Sequence, residues 1–524
     1  MSFLAVRQRP SEITNNPKTS PLLIGSALIS LGFVALPLIY LIGRALQGDL
    51  ESIQIVVFRA KTLEVLLTTI SLVTLVALAA TILGSALAWT LQNVLLPKAN
   101  LLRALVILPI AIPSYVFTYS WLSLGVFPGG FFAAVVVLTL STTPYVTLAA
   151  IASLRRIDSS QVDVAHTLGL NQFQIFMKVT LPQMRNAIAA GALLVSLYVL
   201  SDFGAVSLLG VDTFTRAIQN TYQGSFDRSS AAVLALMLVA LSGVVITLEV
   251  SSRKRSRIVV SSVSITKQVE PTNTLKTRVI ALALLASYII TALLLPMSVL
   301  IFRFFARPKP IDIPELMQAA ISTILVASIG ALIALLLAIP VALLALRASL
   351  IGKFAERGVL LVNALPGVVL GLALVAFGSD FPLVYQTVGL LGVAYAILFL
   401  ARSVGTIRTS LSRVPENLTE IAATLGQSRT RIFYRVTLPL AAPGVLTGTL
   451  LVLLSAMKEL PATLMLRPTG FETLATEMWN NTAIFRFSEA APYALVLVIL
   501  AAIPTFLISR PDKQSGQDLS RDEI

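Results

Sequence analysis

The chain has 524 residues, 56% hydrophobic and only 12% charged, about half the charged share of a soluble globular protein, so a soluble fold is excluded and a membrane protein is expected. Its formal charge of +14 is what Lys- and Arg-rich cytoplasmic loops give an integral membrane protein, and no nucleic-acid partner is expected. There is no cysteine and His166 is the single histidine, which excludes disulfides, thiolate metal sites and histidine clusters.

In chain order, residues 1–20, MSFLAVRQRPSEITNNPKTS, are polar and basic and lack an apolar core. They read as a cytoplasmic tail rather than a cleaved leader. A span needs about 20 mostly apolar residues. The first half offers spans at about 21–46, 63–95, 101–125, 130–154, 184–209 and 229–251. The second offers about 278–305, 316–347, 356–378, 384–407, 440–466 and 489–509. The expectation is an all-α membrane protein of about twelve transmembrane helices. The domains are a tail (1–20), a first membrane domain (21–251), a polar basic cytoplasmic linker (252–277), a second membrane domain (278–509) and a tail (510–524).

Orientation follows from the basic residues near the span ends. Lys98 and Arg103, then Arg155, Arg156, Lys178 and Arg185, then Arg253 to Arg257, then Arg408, Arg413, Arg429, Arg431 and Arg435 all fall on one side of a twelve-span chain. That side is the cytoplasm, and both termini lie there. Arg303, Arg307 and Lys309 are an exception on the opposite side. Trp89, Trp121 and Trp479 suit interfacial anchoring.

The loop DVAHTLGLNQFQIFMKVTLP, Asp163 to Pro182, returns as EIAATLGQSRTRIFYRVTLP, Glu420 to Pro439, with ten of twenty positions identical at an offset of 257. The offset persists beyond the loops: Gly191 meets Gly448, Asp202 meets Glu459, and Phe214 meets Phe471. The two halves are therefore a direct repeat. Within each loop, Gly169 or Gly426 suits the left-handed residue that closes a short helix. Asn171 or Ser428 suits the cap of the next one. That second helix puts Phe173, Phe176 and Val179 near one face, with Ile175 beside them. Pro182 and Pro439 suit the first turn of the span that follows. Each loop is expected to be two short helices lying on the cytoplasmic surface.

The spacing acidic–x–Ala–x–x–x–Gly, then about a dozen residues to Leu-Pro, resembles the cytoplasmic loop of ABC importer permeases. The resemblance covers essentially the whole chain as two fused, pseudosymmetric six-helix permease units. In that family the loop inserts a coupling helix into a cleft on an ATP-hydrolysing subunit. The matching positions are Asp163, Ala165, Gly169, Leu181 and Pro182, and then Glu420, Ala422, Ala423, Gly426, Leu438 and Pro439. The first copy departs from the pattern, with Asp for Glu and His166 for the second Ala. The fused arrangement is similar to ferric-iron and thiamine permeases. Residues 457–482, MKELPATLMLRPTGFETLATEMWNNT, closely resemble the equivalent stretch of ferric-iron permeases, and Leu200–Tyr222 and Leu108–Leu122 are of the same class. The resemblance implies a bacterial inner-membrane permease for ferric iron. It also implies a separate ABC ATPase dimer as partner, a ferric-iron-binding protein that docks near 207–228 and 467–488, and ATP bound on the partner rather than on this chain. Permeases for thiamine, polyamines or phosphonates share parts of these stretches and give the alternative cargoes.

The chain has no GxxxxGK[ST] phosphate loop: Gly352-Lys353 is followed by Phe354. Energy must then come from another polypeptide or from an ion gradient. A secondary transporter also has two halves, but it gives no reason for a repeated docking loop. An intramembrane enzyme would need a catalytic constellation, and none is visible. Asp202, Lys458 and Glu459 lie near the end of the fifth span of each half, where charge is expensive. They line or gate a pathway between the halves, or they fix packing as an ion pair. Pro113 and Pro366, with Pro109, fall within the third-span patterns and either kink the helices at the pathway or fit local packing. Two carboxylates are too few for a tight metal site, so no high-affinity metal site is expected.

Overall fold

The computed structural model describes residues 21–125, 128–155, 157, 159–224, 227–256, 274–307, 309–346, 350–362 and 365–509. Both tails and residues 257–273 of the linker lie outside the described residues. Ten described helices are long and apolar enough to cross a membrane. In the first half they are Pro21–Ala45, Ala60–Asn93, Phe131–Leu154, Phe176–Ser201 and Arg228–Leu248. In the second they are Leu275–Phe305, Ile313–Leu346, Val388–Leu411, Phe433–Met457 and Phe487–Pro504. They correspond to five of the six expected spans in each half. At the linker, helix continues to Ser256 and resumes at Leu275, so it overruns both expected boundaries.

The third span of each half is not one helix. In the first half Ala99–Ile107 and the 3₁₀ turn Leu108–Ala111 meet Ser114–Ser123 at a bend of 94°, which makes eleven spans if the pair is counted as one. In the second half Leu350–Val362 is followed by Gly367–Asp380. The cause is proline, which has no N–H to give and whose ring clashes with the preceding turn. Pro113 (φ −60°, ψ 147°) and Pro366 (φ −60°, ψ 148°) are both extended and stand immediately before a helix. Their carbonyls accept the first helical N–H groups, from Val116 and Phe117 and from Val369 and Leu370. Both prolines therefore start a new helix at a break, rather than kinking a continuous one.

Pro182 and Pro439 depart from expectation in the opposite sense. Instead of opening a new span, each follows a π turn inside one continuous helix: Phe176–Thr180 runs into Leu181–Ser201, and Phe433–Thr437 into Leu438–Met457. A third π turn, Ile290–Leu294, runs into Leu295–Phe305 and its Pro296. Each time the sequence is a π turn, then Leu, then Pro. The Leu N–H bonds five residues back, Leu181 to Phe176 and Leu438 to Phe433. This wider turn carries the helix past a residue that cannot donate.

The first helix of each half packs on the other half. Pro21–Ala45 lies against Ile313–Leu346, Leu350–Val362 and Gly367–Asp380. Ser30 Oγ donates to Leu337 O at 2.9 Å, and Tyr40 meets Phe377 edge-on at 5.2 Å. In return, Tyr288 of Leu275–Ile289 donates to Leu140 O at 2.9 Å. Arg303 donates to Ser123 O and lies over the Phe487 ring. This basic exception to the orientation rule is thus a clasp between the halves. One continuous apolar core runs through both halves.

Within each half the fourth and fifth spans cross where the sequence places glycine. A Cβ on Gly191 would stand 3.0 Å from Val146 Cα and 3.4 Å from Ala149 Cβ. A Cβ on Gly448 would strike Thr406, the repeat partner of Ala149.

Candidate functional site

The two repeated loops share their backbone. In the first, Ser159–Thr167 is closed by Gly169 at φ +78°; in the second, Glu416–Thr424 is closed by Gly426 at φ +75°. Leu170 N–H bonds back to Ala165 O at 3.2 Å, and Gln427 N–H to Ala422 O at 3.1 Å, the bond pattern that requires a left-handed residue between. Asn171 Oδ1 accepts Gln174 N–H at 2.9 Å while Gln174 Oε1 accepts Asn171 N–H at 3.0 Å. Ser428 Oγ accepts Arg431 N–H at 3.4 Å. The short helices these residues start, Gln172–Ile175 and Arg429–Ile432, are continuous with the following spans through the π turns. They are not separate surface helices.

The inward side of the first loop is a small core of Val162, Ala165 and Ile175, flanked by Leu170 and Val179. Ile175, rather than Phe176, is its centre. Phe176 lies edge-on to Trp89 at 6.2 Å, and the Phe173 side chain lies outside the described residues. Asp163 and Glu420 are exposed. So are Val164, Leu168 and Met177 in the first loop and Ile421, Leu425 and Tyr434 in the second, which are the same three positions on the 257-residue repeat. Leu168 is 74% exposed and Leu425 73%, and with their exposed neighbours each forms an apolar patch of the kind that marks a contact surface. A groove of about 430 Å³ lined by Gln161, Val164, Lys178, Val179, Pro182 and Gln183 adjoins the first loop. Ala422 is half-buried, Ala423 exposed, and Leu181 and Leu438 half-buried at the base of their spans.

The charged residues near the fifth spans lie at the far end of those helices, about 30 Å from the loops at 1.5 Å per residue. Asp202 is buried, and its Oδ1 accepts Ala205 N–H at 3.0 Å and Val206 N–H at 3.3 Å. Glu459 is buried, and its two oxygens accept Ala462 N–H and Thr463 N–H, each at 3.0 Å, and the Thr463 hydroxyl at 2.8 Å. The two carboxylates thus cap the short helices Gly204–Leu208 and Pro461–Leu466, and neither pairs with Lys458. Each cap abuts the break in its own half. Gly204 lies against Tyr115, just past Pro113, and a methyl on Gly367, just past Pro366, would meet Glu459 Oε1 at 2.5 Å.

Lys458 instead crosses between the halves. Its Nζ approaches Ile110 O at 3.4 Å and Ala111 O at 3.5 Å, while Tyr115 Oη donates to Lys458 O at 3.3 Å. Those two carbonyls are ones the helical break leaves without their intrahelical partners. Beside this crossing, Phe203 stacks on Trp479 at 5.3 Å. Trp479, half-buried, therefore meets a ring of the other half, and Trp121 is buried.

Thr69 and Thr323 tie the next helices down. The Thr69 hydroxyl donates to Val65 O and accepts Phe214 N–H at 3.2 Å. The Thr323 hydroxyl donates to Ala319 O and accepts Leu474 N–H at 2.9 Å. The structural partner of Phe214 is therefore Leu474, not Phe471: the second half carries three extra residues between its acidic cap and this helix. Sequence reading missed the threonines because each is one hydroxyl in a long apolar helix.

Comparison with known proteins adds to this geometry. Residues 80–257 and again 330–511 match the family described as binding-protein-dependent transport system inner membrane component. The Fe(3+)-transport system permease protein FbpB 2 of Haemophilus influenzae is 30% identical over 501 residues, 94% of this chain and 99% of the relative. The molybdate/tungstate transport system permease protein WtpB of Thermococcus kodakarensis is 28% identical over 238 residues, 44% of this chain and 93% of the relative.

Proposed function

The chain belongs to the family of binding-protein-dependent transport system inner membrane components, and on that premise we propose that it is the fused two-unit permease of an ATP-driven ABC importer of ferric iron. Alignment with the Haemophilus relative from end to end supports the fused arrangement and the cargo. The chain itself is a transport subunit and not an enzyme. ATP binds and is hydrolysed on an ABC ATPase dimer, and an extracytoplasmic binding protein delivers the iron near 207–228 and 467–488. The protein spans a bacterial inner membrane many times, with both termini and both repeated loops in the cytoplasm.

The observation that carries this reading is the duplicated exposed apolar face, Val164, Leu168 and Met177 in one loop and Ile421, Leu425 and Tyr434 in the other. Two such faces at equivalent places suit two equivalent partners. Asp163 and Glu420 lie beside them and add a charged contact. Closure of the ATPase dimer draws the loops together. The π turns make each loop continuous with its span, so loop movement is passed to the helices that end at Asp202 and Glu459. In the test, Glu420→Ala and Gly426→Pro abolish ATP-driven uptake of radiolabelled iron while the protein stays in the membrane at its usual level. Normal uptake in both variants would sink the coupling assignment. The name of the Thermococcus relative favours a second cargo, an oxyanion, for which radiolabelled molybdate replaces iron in the same assay.

A further inference from the structure

The repeat that makes the two halves alike is broken where they face each other. The 257-residue offset pairs Tyr145 with Arg402, Tyr198 with Ser455 and Ser201 with Lys458. One half therefore presents two phenols and a hydroxyl, and the other presents a guanidinium, a hydroxyl and an ammonium. In the first half, Tyr145 and Tyr198 lie ring to ring at 5.7 Å. In the second, Arg402 donates to Ser455 Oγ, and its guanidinium lies over the Phe399 ring at 5.2 Å. Arg402 reaches Ser455, one turn before Lys458, and Lys458 reaches Ile110 and Ala111 of the first half, so the second wall lies against the first half at its helical break.

Arg402 is exposed although it lies in a membrane-crossing helix. A charged side chain at that depth faces water or a protein interior rather than lipid. The two carboxylates nearest this place, Asp202 and Glu459, are engaged by the N–H groups of their own short helices. Lys458 holds two carbonyls at 3.4 and 3.5 Å, long contacts that leave its charge largely available. A guanidinium has five donors, and Ser455 takes one.

We infer that Arg402, Lys458, Tyr145 and Tyr198 form a transit site for a small oxygen-rich anion between the halves, so that iron crosses with its charge masked by an oxyanion or carboxylate ligand. The site deepens the importer reading and rests on it. A bare trivalent cation meets two like charges there, whereas an anion meets two cations and two phenol donors. The long lysine contacts and the shared arginine suit transient holding, which transit requires.

The test uses the intact complex, with its ATPase and binding protein, in sealed proteoliposomes. Radiolabelled iron is supplied with radiolabelled citrate in one arm and radiolabelled phosphate in another, and radiolabelled molybdate is supplied alone in a third. Iron should enter together with one of the two anion labels at a fixed ratio. Lys458→Gln and Arg402→Gln should each lower that uptake by about tenfold, the loss of one charged hydrogen bond, while Lys458→Arg restores it. Iron entering with neither anion label overturns the transit site and leaves the iron importer standing. Molybdate entering while iron does not supports the site and overturns the iron cargo. Unchanged uptake in both glutamine variants overturns the site whatever the cargo, and the wild-type double-label arms need no variant to fold.

Discussion

Asp202 and Glu459, repeat partners at the ends of the fifth spans, each turn a buried carboxylate back onto the first N–H groups of the short helix that follows. Caps of this kind hold those helices at the breaks near Pro113 and Pro366, where an apolar environment makes a lost partner costly. Glu459→Ala leaves two N–H groups without their acceptor, while the Thr463 hydroxyl keeps the backbone Glu459 O, and should lower stability by about 1–3 kcal/mol. Glu459→Gln keeps one oxygen and should cost less. Thermal unfolding in detergent checks the order, and equal stability of Glu459→Ala and wild type would remove the capping role.

Gly169 and Gly426 have open space around their α-carbons, so a methyl group there meets no neighbour. Only the left-handed backbone resists it, by about 1–2 kcal/mol. Gly426→Ala should leave membrane insertion intact and reduce stimulation of the partner ATPase. The matching Gly169→Ala change tests whether the loop with His166 in place of alanine contributes equally. ATPase rates with and without loaded binding protein give the readout.

Thr69→Val and Thr323→Val keep the shape of the side chain and remove the acceptor of Phe214 N–H or Leu474 N–H. Each should cost about 1–3 kcal/mol, the penalty for a buried donor left unpaired. Faster amide exchange at the start of Phe214–Gly224 or Leu474–Ala483 is the expected local sign. Thr→Ser at either place keeps the hydroxyl and should restore protection.

Pro439→Ala returns an N–H to the helix and removes the reason for the π turn Phe433–Thr437. Relaxation to α geometry turns everything before it by about one residue, roughly 100°. The loop then points elsewhere relative to its span. The chain has no cysteine, so a pair of introduced thiols across this turn reports the rotation by its cross-linking yield. An unchanged yield would show that the π turn does not depend on the proline.

What the sequence revealed was local. Left-handed Gly169 and Gly426 and the caps at Asn171 and Ser428 follow from neighbouring residues, and the duplication of whole halves follows from counting. What it hid depends on partners far along the chain. The apolar runs at 101–125 and 356–378 are long enough for continuous spans, and hydropathy does not register that Pro113 and Pro366 break them. Pro182 and Pro439 suit a helix start because a missing N–H costs least in a first turn, yet a π turn carries the helix through. The role of Asp202 and Glu459 was open between pathway and ion pair because an acidic side chain next to a five- or six-residue helix leaves no periodic signature. The offset of 257 holds from the fourth span to the acidic caps; it is 253 at Pro113 and Pro366 and 260 at Phe214 and Leu474, where only the bond to Thr69 identifies the true counterpart.

The most direct test of the account is purification of this protein from detergent-solubilised native membranes, with the co-purifying chains identified by mass. The account predicts a stoichiometric ATPase that carries a phosphate loop, retained by the wild type and lost from the Leu168→Glu, Leu425→Glu double variant, which stays in the membrane. The protein recovered alone, with uptake that survives ATP depletion and collapses with the ion gradient, would contradict it.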